Sequence, residues 1–162
     1  MQLDGTKPFL FIGQLGRNHL IAQATRRLYP LCEDYYDGNW IETRVEITAG
    51  GFRGTFKAQL RAEEFLNFRD ELVLLNSTAS SSSACFVSLE EWLAIKIERE
   101  GIGNYVAHCA AIDGAEDGNE LKFSVQFNQT EMPAILKSLD KIIAEFPVLG
   151  ERRASQRNSA AS

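Results

Sequence analysis

The sequence predicts an α+β domain: an antiparallel β-sheet of about seven strands, curved or sandwich-like, packed by two amphipathic helices. Apolar and polar side chains alternate along several runs, turn residues separate those runs, and two stretches switch to helical spacing. The domain is expected over residues 1–150, with a disordered tail over 151–162, where the chain becomes polar, small and aperiodic.

The first hairpin is expected from Phe9-Leu10-Phe11-Ile12, a turn at Gly13-Gln14-Leu15-Gly16, and an extended run from His19 to Leu28 that Tyr29-Pro30 ends. An irregular acidic and aromatic loop follows, Glu33-Asp34-Tyr35-Tyr36-Asp37-Gly38-Asn39-Trp40. Ile41, Thr43, Val45 and Ile47 then alternate with Glu42, Arg44, Glu46 and Thr48. Ala49-Gly50-Gly51 supplies a turn, and Phe52, Gly54, Phe56, Ala58 and Leu60 resume the alternation. This is the clearest hairpin in the chain.

Ala62, Phe65, Phe68, Leu72 and Leu75 recur every three or four residues, which predicts a helix with Glu63 and Glu64 in its first turn. The serine-rich stretch Asn76 to Ala84 has no periodicity and reads as a flexible loop within the domain. Three further strands are expected around Leu93–Ile97, Tyr105–Ile112 and Leu121–Phe127. A closing helix carries the stripe Met132, Ile135, Leu136, Leu139, Ile142, Ile143 and Phe146, with Thr130 as its cap and Pro133 in its first turn. Phe56-Lys57-Ala58-Gln59-Leu60 and Phe123-Ser124-Val125-Gln126-Phe127 both precede a helix, a pattern that a duplicated strand–strand–helix unit or chance would produce.

Composition narrows the function classes. The 162 residues are 44% hydrophobic and 24% charged, enough to build a core without metals or disulfides. Cys32, Cys85 and Cys109 are odd in number and show no Cys-x-x-Cys pairing, which argues against a disulfide framework or a zinc site. The net charge of −5 argues against non-specific nucleic-acid binding, which needs Lys and Arg to neutralise phosphates. No apolar run reaches the roughly 20 residues a membrane helix needs, and the first residues lack the pattern of a secretion signal. A cytoplasmic, membrane-free location is expected.

No catalytic constellation is legible, and no metal site or cofactor is implied. Only His19 and His108 could serve as acid–base groups near neutral pH, and neither sits in a triad or ligand pattern. Gly101-Ile102-Gly103 begins a dinucleotide-binding pattern without completing it. The acidic turn Asp113 to Glu120 places its carboxylates wrongly for a calcium loop. Glu33, Asp34 and Asp37 cluster in sequence, yet paired-carboxylate glycoside chemistry depends on a spatial separation that sequence does not give.

The acidic loop is the most unusual segment. Glu33, Asp34, Tyr35, Tyr36 and Asp37 combine aromatic contact area with negative charge, as a partner-facing surface does. The alternative is structural: Trp40 and one tyrosine fold into the core while Asp37 caps a turn. Leu28-Tyr29-Pro30 followed by Asp34-Tyr35-Tyr36-Asp37-Gly38-Asn39-Trp40-Ile41 resembles the signature of the WapI-type immunity proteins and their uncharacterised bacterial relatives. The strand–helix pattern over residues 9 to 148 is similar to theirs too. The resemblance implies a small cytosolic bacterial protein that binds and neutralises a protein toxin without catalysis. A second reading comes from the aromatics Phe52, Phe56, Phe123 and Phe127: a carrier enclosing a small molecule or lipid under the sheet.

Overall fold

The computed structural model describes residues 3–153. Eight strands form two antiparallel sheets, both simple meanders. The first contains β1 (Phe9–Gly13), β2 (His19–Arg27), β3 (Trp40–Ala49) and β4 (Phe52–Arg61), in that order; the second contains β5 (Ser83–Val87), β6 (Leu93–Arg99), β7 (Asn104–Ile112) and β8 (Glu120–Asn128). Helix α1 (Tyr35–Gly38) interrupts the first meander, α2 (Ala62–Ser77) follows β4, and α3 (Met132–Glu145) follows β8. The α+β class is as the sequence predicts, with one strand more than the seven runs it shows.

The additional strand is β5, which begins inside the serine-rich stretch expected to be a loop. Only Ala84 and Phe86 point inward, too few for a visible alternation. The strand is fixed by its neighbours instead. Its Cys85 N–H donates to Glu71 Oε2 on α2 at 2.8 Å, and it pairs with β6 from Ser83↔Glu98 to Val87↔Ala94.

The architecture is one unit used twice: four strands, then a helix. The register makes the equivalence explicit. Ile41↔Leu60, Thr43↔Ala58 and Val45↔Phe56 in the first unit correspond to Tyr105↔Phe127, Ala107↔Val125 and Cys109↔Phe123 in the second. The buried helix stripes match as well, Phe65, Phe68, Leu72 and Leu75 against Met132, Ile135, Leu139 and Ile142. Even the helix starts agree: Glu64 accepts the Arg61 N–H at 2.7 Å, and Glu131 accepts the Asn128 N–H at 2.8 Å. The repeated unit is therefore larger than the echo before the helices suggests. Each helix packs on the first strand of the other unit's sheet, α2 on β5 and α3 on β1, and the two helices pack together. One continuous cluster of buried side chains runs through both units.

Two local expectations are corrected. Thr130 does not cap α3: Glu131 is the N-cap, and Thr130 donates through both N–H and Oγ1 to Asn128 Oδ1 in the turn before it. The four aromatics expected to line one cavity are divided between sheets, with Phe52 and Phe56 on β4 and Phe123 and Phe127 on β8. Phe127 is buried and stacks on Tyr105 at 5.2 Å, whereas Phe52 is 69% exposed. A cleft of about 690 Å³ lies at the surface among Gln14, Arg17, Glu100, Asn104 and Gln126. No helix among the described residues is long and apolar enough to cross a membrane. Residues 154–162 of the expected tail 151–162 lie outside the described residues.

Candidate functional site

The acidic loop of the first unit is a built structure with a helical turn at its centre. Asp34 is the N-cap of α1, its Oδ2 accepting the Tyr36 N–H at 3.1 Å and the Asp37 N–H at 3.0 Å. The cap is Asp34 and not Asp37, which lies within the helix. Tyr35 turns inward and Tyr36 outward, their rings edge to face at 5.4 Å.

Three side chains outside the expected set hold this turn down. Arg61, only 5% exposed, donates to the carbonyls of Tyr35 at 2.6 Å and Tyr36 at 2.7 Å. Its guanidinium sits over the rings of Trp40 at 4.7 Å and Tyr35 at 5.3 Å, while its Nε donates to Glu63. A planar fork with five donors can make all of these contacts at once; a lysine cannot. Asn39 is fully buried: its Nδ2 donates to Tyr35 O and Leu149 O, both at 2.9 Å, and its Oδ1 accepts the Leu149 N–H at 2.8 Å. Arg27 joins Gly38 O at 2.7 Å to Pro147 O at 2.5 Å. The segment after α3 thus clamps the loop against the ends of β2 and β4. Glycine is required at position 38, where a Cβ would lie 2.7 Å from Cys32 O.

The electrostatics follow from burial. Tyr35 has its pKa raised, by desolvation first and then by the charge of Glu63. Glu64, which also accepts the Leu89 N–H at 3.0 Å, is pushed up to about 7 because desolvation outweighs its two backbone hydrogen bonds. Outside the clamp, Glu33, Asp34, Asp37 and Tyr36 are exposed, as are Tyr29 (51%) and Leu31 (96%). Cys32, Asp34 and Asp37 bring potential ligand atoms within 4.8 Å of one another, and the Asp34 Oδ2 also accepts both cap hydrogen bonds.

The other sequence candidates disperse. His19 is buried on β2, its Nδ1 2.8 Å from Arg17 O and its ring stacked on Phe11. His108 is on the opposite sheet and exposed, its Nδ1 3.3 Å from Ser124 Oγ and its Nε2 3.6 Å from Glu98. These neighbours come together only across strands, which sequence spacing does not show. Strand N–H groups lie in the plane of the sheet, so no pair of them aims at a reacting atom above it. The acidic turn closes on itself, with Asp113 Oδ1 accepting the Asn119 N–H at 2.7 Å. Cys109 is buried, which raises its thiol to about 12 and leaves it unreactive.

A sequence profile of the immunity protein WapI-like family matches residues 11–147. The chain belongs to this family. No curated protein shows significant similarity to it. The resemblance expected over residues 9–148 is thus correct, and the loop that carried it is held by Arg27, Asn39 and Arg61 in this WapI-like chain. Sequence reasoning missed Arg61, yet a signal existed. Counting back from the Gly50-Gly51 turn places Arg61 directly opposite Trp40, and a cation facing an aromatic at the end of a hairpin is a recognisable pairing.

Proposed function

We propose that this WapI-like chain is a non-catalytic, cytoplasmic bacterial immunity protein that neutralises a protein toxin by binding it. Its contact surface is the outer side of α1 and the residues leading into it: Glu33, Asp34, Tyr36 and Asp37, with Tyr35 half-buried beneath them. One observation carries the reading beyond family membership. Exposed aromatic and acidic side chains sit on a turn whose backbone is immobilised by Arg27, Asn39 and Arg61. A pre-organised patch of this kind binds with little ordering cost, and its charge suits a basic surface on the toxin.

The test is titration of the purified chain with the toxin encoded beside its gene. A complex with a dissociation constant on the order of nanomolar is expected. Tyr36→Ala should speed dissociation and Asp37→Lys should slow association, both with the fold intact. Tight binding that neither substitution changes would move the contact surface elsewhere, and absence of any complex would defeat the immunity reading.

A further inference from the structure

The two sheets have four outer edges; among the described residues two are covered by helices and a third is touched at one residue by a turn. Helix α3 packs along β1. Helix α2 packs along β5 and accepts its Cys85 N–H through Glu71. The β8 edge is met by the first hairpin turn, where Asn18 Nδ2 donates to Ser124 O at 3.1 Å. Strand β4 is the exception.

The direction of its backbone groups follows from the register. Trp40 O accepts the Leu28 N–H and Glu42 O accepts Thr25 Oγ1, so even-numbered residues of β3 turn their backbone toward β2. Odd-numbered residues therefore bond to β4, and their partners are Phe52, Gly54, Phe56 and Ala58. Arg53, Thr55, Lys57 and Gln59 then aim both N–H and C=O away from the sheet. All four residues are exposed, and among the described residues no hydrogen bond reaches these outward groups.

We infer that the β4 edge is a docking strand for an extended segment of a partner protein, acidic on one face and apolar on the other, which joins the first sheet as a fifth strand. Arg53 and Lys57 stand on the outer face of the edge; β4 itself carries no carboxylate there, and Lys57, still largely exposed, pairs with Glu42 of β3 at 3.7 Å. On the inner face, Phe52 is 69% exposed, Gly54 leaves open space where a side chain would be, and Phe56 stacks on Trp92 at 6.4 Å. Alternating acidic and apolar side chains match these two faces in turn. The same cations oppose a second copy of this chain, because two antiparallel β4 edges would set Arg53 and Lys57 against one another. This surface is separate from the α1 patch, and the inference does not depend on the partner being a toxin.

The probe is a capped octapeptide of alternating Glu and Val, compared with one of alternating Lys and Val, each added in excess to the ¹⁵N-labelled full chain. The Glu–Val peptide should slow amide exchange about tenfold at Arg53, Thr55, Lys57 and Gln59, and the Lys–Val peptide should not. The double variant Arg53→Glu with Lys57→Glu should exchange these preferences. Thr55→Pro removes an N–H that no ladder uses and should abolish protection by either peptide. If the proline variant fails to fold, the charge-reversal comparison still decides. Protection elsewhere, no protection, or equal protection by both peptides would overturn the inference. So would a concentration-dependent dimer that the charge reversal abolishes, since the occupant would then be a second copy.

Discussion

The two units are built alike and differ most in one connection. Between β2 and β3 the chain spends twelve residues, 28–39; between β6 and β7 it spends four, 100–103. At the base of the long connection Trp40 faces Arg61, and at the equivalent pair in the second unit Asn104 faces Asn128. The short connection is an ordinary turn with Gly101 and Gly103 at positive φ. The long one contains a helix, a buried arginine and a clamp from the end of the chain. A second copy of the same scaffold folds without any of this, so the sheet does not require it. What the first unit adds is a rigid projecting surface.

The largest effect expected to test that contrast comes from the base pair itself. Arg61→Ala removes the donor to two carbonyls of α1 and leaves Glu63, 16% exposed at its side chain, without its cation. Breaking a buried pair in this way should cost about 3–5 kcal/mol in denaturant unfolding. Asn128→Ala, at the equivalent position, loses only turn hydrogen bonds from Thr130 and should cost about 1 kcal/mol. Equal losses at the two sites would mean that the long connection is no more dependent on its base than the short one.

The helix starts sharpen the comparison through pH. Glu64 is raised from 4.5 to about 7, so between these values the folded chain holds a proton that the unfolded chain releases. Stability must then fall as pH rises through this window, the reverse of the usual salt-bridged carboxylate, by at most about 3 kcal/mol. Urea unfolding at pH 5 and at pH 7.5 measures the difference. Glu64→Gln should flatten it, because the amide does not titrate. A slope of the opposite sign, or one unchanged by the substitution, would place the titration elsewhere.

Much of this contrast was legible in the sequence, and the reason for each gap is physical. The β3–β4 hairpin and both helix stripes were visible because periodicity reports burial on one side directly. Helix α1 was not, since four residues are too few to show a period; only the capping aspartate marks it. Strand β5 was hidden because its edge is satisfied by Glu71, far away in sequence. The clamp was hidden for the same reason. Asn39 meets Leu149, and Arg27 meets Pro147, through backbone groups that carry no residue signature.

The smallest effect separates structure from surface within the loop. Asp34 both caps α1 and adds to the exposed negative charge, so its alanine variant confounds two roles. Asp34→Ala should cost about 1 kcal/mol of stability, the usual loss for an N-cap. Asp34→Asn keeps an oxygen that can accept the Tyr36 and Asp37 N–H groups, and should stay within about 0.5 kcal/mol of the parent while carrying one negative charge less. If the charge matters to a basic partner, the asparagine variant associates more slowly at low salt, and the difference shrinks as salt rises. If only the cap matters, it associates as the parent does, and the alanine variant alone is impaired. The second unit has no counterpart to the cap, because its four-residue turn holds no helix.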